Sequence, residues 1–342
     1  MSNNVMDICF VCNGHNFAIN LGITIVSILK NSDLDDSFHF HIITDDMLDE
    51  DRENLILLKD IKNFEITFYT PSKDRVDMYK RWVEEAGDKI KSWWSYHVFL
   101  KFEVWRILSH LDKVLFLDSD VIILKKIEEI YNSDIFNYDL AAAYSYTDIK
   151  NINTDVKWIN AGFIYFNINS IKNIMTDDVI YNTFLKLLNT SDNFAEEIIL
   201  NDIVKSKNLK VKRVSRNFNI QEAIWVDDDY IDDIYIAHCT RGKIYNPNCN
   251  FIPKYKNRIL KLGWEYLTLT PWFKKDPIHF LELYSKYNTS IIYREFDKNN
   301  DDFLFLKNKL VFLINKFVWI IPIKKIRDSL RNKLLSYFRV CN

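Results

Sequence analysis

Apolar positions in this chain fall into short runs, and the runs alternate between two periods. Ile8–Cys12 is a continuous apolar stretch and reads as a buried strand. Asn13-Gly14-His15-Asn16-Phe17 is a turn, after which Leu21, Ile25, Ile28 and Leu29 recur at helical spacing between Ala18 and Lys30. Phe38–Thr44 reads as a second strand, Asp49–Lys59 as a second helix and Phe64–Thr70 as a third strand. The β-α-β-α-β order predicts an α/β fold built on a mainly parallel sheet. Tyr96–Leu111 has helical spacing. Asp139–Tyr144 and Gly162–Asn167 read as further strands. Trp158–Gly162 closes a loop on two small residues, which permit close backbone approach to a ligand. Ala195–Lys205 reads as a helix opening on Glu196-Glu197, and Ile234–His238 as a late strand. There is no internal repeat.

The run Lys113-Val114-Leu115-Phe116-Leu117-Asp118-Ser119-Asp120-Val121-Ile122-Ile123-Leu124 departs from this regular pattern. Two carboxylates one residue apart sit between two apolar segments. An unpaired charge inside a doubly buried strand costs several kcal/mol, roughly. Asp118 and Asp120 are therefore expected where the strand ends and the chain turns, the place where open α/β sheets bind ligands. Oxygen ligands of this kind suit Mg²⁺ or Mn²⁺. A solvated Asp-Ser-Asp turn is the plainer alternative. The turn after the first strand is not G-x-G-x-x-G, and no G-x-x-x-x-G-K-[ST] loop occurs, so dinucleotide and P-loop fingerprints are excluded.

Composition changes the picture in three places. The 342 residues, 48% hydrophobic and 27% charged, describe a globular protein of one large or two smaller domains. The net charge of −2 is unevenly placed: residues 303–342 carry nine Lys/Arg and one Asp, leaving about −10 on the remainder. Such a basic tail suits an anionic partner. The cysteines Cys9 and Cys12 form a Cys-x-x-Cys inside an apolar run with no second pair at metal-site spacing, so buried free thiols in a reducing compartment are expected. Met1-Ser2-Asn3-Asn4 lacks the features of a signal peptide, and no stretch reaches about 18 uninterrupted apolar residues.

Together these features resemble glycosyltransferase family 8, retaining enzymes of the GT-A fold, and especially its bacterial lipopolysaccharide glucosyl- and galactosyltransferases. Val114–Val121 looks like the family's Asp-x-Asp strand, and Asn160-Ala161-Gly162-Phe163 with Phe166-Asn167 like its Asn-Ala-Gly segment. The resemblance covers roughly residues 6 to 275. It implies a Rossmann-like mixed sheet flanked by helices, residues 1–270 forming the transferase domain and 271–342 a basic helical extension. It implies that Asp118, Asp120 and His238 bind Mn²⁺ or Mg²⁺, and that Val11, Asn13, Asn16, Ser119, Gly242 and Lys243 contact a UDP-hexose. Asn160, Glu196 and Glu197 then face the reacting sugar. A lipopolysaccharide- or lipooligosaccharide-type glycan is the implied acceptor, at the cytoplasmic face of the cell membrane.

The chain departs from the family in several positions. Glu196-Glu197-Ile198 stands where relatives read Asp-Gln-Asp. Glu197 is then a group near the anomeric carbon, or a helix-start acid favoured by the dipole. Phe99 stands where an Arg is usual, with Lys101 and Arg106 as candidate replacements. The late loop carries an insertion, which leaves Arg241 and Lys243 both eligible for the phosphates. In the tail, Lys307, Lys309, Lys316, Lys324, Lys325, Arg327, Arg331, Lys333 and Arg339 interrupt aromatic and aliphatic residues. That pattern suits a surface-lying amphipathic segment on an anionic membrane, or a helix pair packed on the domain with its cations solvated. No nucleic-acid motif is present. Two other readings remain. An aspartyl-phosphate phosphohydrolase is disfavoured by the hundred residues before Asp118. A degenerate transferase would serve as a nucleotide-sugar or membrane-binding module without turnover.

Overall fold

A computed structural model describes residues 5–90, 95–144, 158–191, 195–221, 234–240, 244–245, 257–283, 285, 328 and 331–333. The strands are β1 (Val5–Val11), β2 (Ser37–Ile43), β3 (Glu65–Tyr69), β4 (Lys113–Leu117), β5 (Val121–Ile123), β6 (Leu140–Tyr144), β7 (Ile159–Asn167), β8 (Val211–Arg213), β9 (Ile220–Gln221) and β10 (Ile236–His238). The helices are α1 (Gly14–Lys30), α2 (Asp49–Ile56), α3 (Lys73–Ala86), α4 (Val104–Ile107), α5 (Glu128–Tyr131), α6 (Ile168–Ile171), α7 (Asp177–Thr190), α8 (Glu196–Ser206), α9 (Asn257–Leu267) and α10 (Pro271–Lys275). Residues 1–244 and 253–271 form one compact unit, and residues 245–252 and 272–342 a second.

Seven strands form a sheet in the order β3-β2-β1-β4-β7-β6-β8. β1 runs parallel to β2 and β4, and β2 parallel to β3, while β7 is antiparallel to both β4 and β6. The expected mixed α/β sheet is therefore present, with its parallel half built from the first β-α-β-α-β stretch. Strand order reverses between β1 and β4, and the carboxyl ends of these two strands flank the crevice where open sheets bind ligands. A second, three-stranded sheet has the order β5-β10-β9. Among the described residues no helix is long and apolar enough to cross a membrane.

Three local differences from the sequence reading have physical causes. The spacing in α1 predicts one apolar stripe, but every residue from Ala18 to Leu29 is buried, including Asn20, Thr24 and Ser27. The helix is enclosed, and two of its polar residues bond the neighbouring chain: Thr24 donates to Ser119 O and Val121 O, and Ser27 accepts Ile123 N–H. Tyr96–Glu103 is a 3₁₀ segment that passes into the single turn α4, not one continuous α-helix. Five aromatic side chains, Tyr79, Trp82, Phe99, Phe102 and Trp105, pack in sequence there, with ring centroids 5.2–6.3 Å apart. Trp158–Gly162 is expected as a loop, yet Ile159 to Gly162 belong to β7. Cys9, Cys12 and Cys239 are buried free thiols, as Cys9 and Cys12 were expected to be.

Candidate active site

β4 ends at Leu117, and Asp118, Ser119 and Asp120 form the turn into β5. The two carboxylates thus sit at the strand end, and the turn joins the large sheet to the small one. Its backbone is held from three sides. Asp118 N–H donates to Gly162 O at 3.0 Å, and Cys239 N–H to Asp120 O at 2.9 Å. From below, the buried Thr24 hydroxyl lies 3.0 Å from Ser119 O and 2.7 Å from Val121 O. One turn on, Ser27 Oγ accepts Ile123 N–H, and Asn31 Nδ2 donates to Ile123 O. Thr24, Ser27 and the C-cap Asn31 fall on one side of α1 by their spacing, so the helix and its cap act as a clamp on residues 119–123.

His238 completes the cluster. It ends β10, in register with Val121 of β5. Its Nε2 lies 3.2 Å from Asp120 Oδ1 and 3.6 Å from Asp118 Oδ2, and one atom from each residue lies within 4.8 Å of the others. Two carboxylate oxygens and an imidazole nitrogen form a donor set suited to Mn²⁺ or Mg²⁺, so the residues fit the expected ion. Burial alone would push the His238 pKa down; Asp120 and then Asp118 outweigh it and raise the value.

The His238 tautomer follows from a directed series of hydrogen bonds. Glu197 can only accept when ionised. Its Oε2 takes Asn160 Nδ2–H at 2.8 Å and Ala161 N–H at 3.1 Å, while Oε1 takes Trp158 Nε1–H at 2.8 Å. Asn160 Oδ1 is thereby turned to accept Asn219 Nδ2–H at 2.7 Å, and also Gly162 N–H at 3.0 Å. Asn219 Oδ1 then faces His238 Nδ1 at 2.9 Å and accepts its proton. That leaves Nε2 facing the Asp118–Asp120 oxygens as the ring nitrogen that would ligate an ion, the outer-shell arrangement typical of metal-bound histidine. Burial raises the Glu197 pKa, opposed by the Trp158 hydrogen bond.

Lys101 is the buried cation of the site. Its Nζ lies 2.9 Å from Asp118 Oδ1 and 2.8 Å from Glu196 Oε1. Burial would lower its pKa, but Asp118 and Glu196 together hold it above the ordinary lysine range. Of the two candidates to replace the usual Arg, Lys101 occupies the site; Arg106 instead pairs with Glu103 and Asp177. Phe99 is wholly buried in the aromatic group. Gly162 is required by space: a Cβ there would stand 2.3 Å from His238 Cε1 and 2.8 Å from Asp118 Oδ2.

Val11 ends β1, Asn13 is the N-cap of α1 and Asn16 lies exposed in its first turn. All three are at the carboxyl end of the parallel strands, on the same side as Asp118. Gly14 adopts φ +63°, and its N–H donates to Asp46 Oδ1 at 2.9 Å. Asp46 and Asp45 both contact His97 Nε2, at 3.2 and 3.1 Å. This triad, which fixes the turn after β1, carries no sequence signal. Asn219 likewise escapes a sequence reading, since it lies in a stretch with no recognisable period. Arg241, Gly242 and Lys243 lie outside the described residues.

The sequence model of glycosyl transferase family 8 matches residues 8–238. A Haemophilus influenzae protein provisionally named a glycosyltransferase is 22% identical over 259 residues, spanning 70% of this chain and 72% of its own length. Among solved structures, the galactosyltransferase LgtC, in complex with donor and acceptor sugar analogues, has a TM-score of 0.58 at 16% identity, covering 79% of this chain and 99% of that one. The apo structure of the bifunctional glycosyltransferase WbbM has a TM-score of 0.56 at 16% identity. It covers 82% of this chain, which spans only about half of the WbbM chain (51%).

Proposed function

Because the chain belongs to glycosyltransferase family 8, we propose that it is a divalent-metal-dependent, retaining hexosyltransferase. It moves glucose or galactose from a UDP-sugar to a hydroxyl of a lipopolysaccharide- or lipooligosaccharide-type glycan. The observation that carries this reading is the convergence of Asp118, Asp120 and His238 Nε2 at the end of β4.

In this reading Asp118, Asp120 and His238 hold the ion, preferentially Mn²⁺. When bound, the ion supplies Lewis-acid stabilisation of the negative charge that builds on the departing diphosphate. Val11, Asn13, Asn16 and Ser119 receive the nucleotide, and Gly242 and Lys243 the phosphates. Lys101 bridges the Asp118 and Glu196 carboxylates, and Glu196 is presented to a sugar hydroxyl. Asn160 and Glu197 stand on the reacting face. The Glu197 oxygens already accept three hydrogen bonds, which suits electrostatic stabilisation of an oxocarbenium-like sugar better than nucleophilic attack. Retention then follows from acceptor attack on the leaving-group face, the diphosphate taking the acceptor proton. Residues 1–270 carry this chemistry, and the basic aromatic segment from 271 onward brings the enzyme to an anionic cytoplasmic membrane surface presenting a lipid-linked acceptor.

The test is UDP release from a panel of UDP-sugars, with Mn²⁺ or EDTA, beside Asp120→Ala. The expected result is release from a single UDP-hexose that needs the metal and disappears in the variant. UDP binding without turnover on any sugar, with acceptor glycans supplied, would instead favour a non-catalytic binding module, and absence of UDP binding would overturn the transferase reading.

A further inference from the structure

A second cluster of metal-ligating side chains lies at the opposite end of the sheet. Asp7, His39 and Glu65 are direct cross-strand neighbours on β1, β2 and β3, and His41 is two residues further along β2 on the same face. Asp7 stands four residues before Val11, so at about 3.3 Å per residue the cluster is about 13 Å down the strand from the donor crevice.

Asp7 Oδ1 lies 2.9 Å from His41 Nε2 and 3.7 Å from His39 Nδ1. These separations bracket the about 3.3 Å edge of a tetrahedron with metal–ligand bonds of roughly 2.0–2.1 Å. The outer ring nitrogens are held as in a ligand set: His39 Nε2 lies 2.8 Å from Thr67 Oγ1, and His41 Nδ1 3.0 Å from Tyr69 OH. Tyr131 OH accepts the Asp7 backbone N–H and sits 3.5 Å from Asp7 Oδ2, leaving Oδ1 to the two imidazoles.

The inner ring nitrogens converge with the carboxylates: His39 Nδ1 faces Asp7 Oδ1 at 3.7 Å and Glu65 Oε2 at 3.8 Å, and one ligand atom each from Asp7, His39 and His41 lies within 4.8 Å of the others. A neutral imidazole carries one proton. With that proton on the outer nitrogen, His39 Nε2–H would donate to Thr67 Oγ1 and His41 Nδ1–H to Tyr69 OH, and both inner nitrogens would present lone pairs to a shared cation.

We propose that Asp7, His39 and His41 form a second divalent-metal site, selective for a borderline ion such as Zn²⁺, with Glu65 or water as fourth ligand. Two imidazoles and one carboxylate suit Zn²⁺ better than Mg²⁺. Glu65 is largely exposed (78%) and free to swing in. The site would tie together three parallel strands toward their amino-terminal ends, away from the transfer chemistry.

The full chain carrying Asp118→Asn and Asp120→Asn, which disables the transfer centre, is stripped with EDTA and titrated with Zn²⁺ by calorimetry. Metal content is read by mass spectrometry, and Co²⁺ is substituted for its absorption spectrum. One Zn²⁺ per chain, an intense tetrahedral Co²⁺ spectrum, and a melting temperature raised by Zn²⁺ are expected. Adding His39→Ala should weaken binding by about 100-fold or more and abolish the melting shift. Should His39→Ala fold poorly, His39→Gln at this half-buried position is expected to give the same loss. No saturable Zn²⁺ in the parent, or binding that neither His39 variant alters, would overturn the proposal.

Discussion

The His238 ring is aimed by side chains that never touch the expected ion. Removing Asn219, which is buried, breaks the series between Glu197 and His238 and frees the imidazole to take the other tautomer. Asn219→Leu should weaken Mn²⁺ binding by about 10- to 100-fold, read by calorimetry, with UDP-sugar turnover restored by excess metal. Gly162→Ala acts by displacement. Its Cβ would overlap His238 Cε1 at 2.3 Å, and moving a ligand by about 1 Å costs about 100-fold in rate. Metal-dependent UDP release should fall by that order, while the fold loses about 1–3 kcal/mol in urea melts. Lys101→Met leaves the Asp118 and Glu196 carboxylates without their shared cation, and a stability loss of roughly 3 kcal/mol is expected. At this scale the sequence was informative where a motif existed. Asp118, Asp120 and Asn160 carry their own pattern, and Lys101 could be nominated only as one of two cations. Asn219 and the Asp45–Asp46–His97 triad (each residue ordinary in its local stretch) acquire roles only through contacts across the fold.

At the level of elements, α1 carries the most consequence. A helix enclosed on all sides would ordinarily be wholly apolar, yet Thr24, Ser27 and Asn31 are spent on the turn that holds the two aspartates. Thr24→Val keeps the shape and deletes the donor, leaving Ser119 O and Val121 O without it. A destabilisation of about 1–3 kcal/mol is expected, with a raised metal requirement for UDP release as the sign that the turn itself has loosened. The strands of the parallel half were legible because they are continuous apolar runs bounded by turn residues. Tyr96–Glu103 was not: its spacing fits an α-helix, and tertiary packing of Tyr79, Trp82 and Phe99 decides for a tighter coil. The start of β7 reads as loop because Asn160-Ala161-Gly162 has poor strand propensity, which the Tyr144–Ile159 pairing with β6 and the Asp118 N–H bond to Gly162 O override.

For the whole molecule, pH should act partly through His97. Burial lowers its pKa, but Asp45 and Asp46 outweigh that and raise it; burial likewise raises Asp45 and Asp46, and the His97 contacts outweigh it and lower them. The histidine contribution is complete below its unfolded pKa of about 6.5 and is lost as pH rises through the raised folded value. The carboxylate contribution is present above about 3.9 and lost as pH falls through the depressed values. His97→Gln should therefore lower the melting temperature most between about pH 4.5 and 6.5, and the gap to the parent should close toward alkaline pH. The parallel half-sheet and the Asp-Ser-Asp turn at its seam were legible from order and spacing. Ile234–His238 is legible as a strand and contains β10, but the three-stranded sheet is not, because β5 and β9 are three and two residues long and pair with β10 across the fold.

Those short strands give the transfer centre an unusual anatomy. Asp118 directly follows the last residue of one sheet and Asp120 directly precedes the first of another, while His238 closes the second sheet's central strand. An ion gripped by all three would rivet two independently hydrogen-bonded lattices through a single point. Metal loading should then be legible far from any sugar. Amide exchange in β5, β9 and β10 would slow together when Mn²⁺ is added, while the parallel strands β1 to β3 would barely register it.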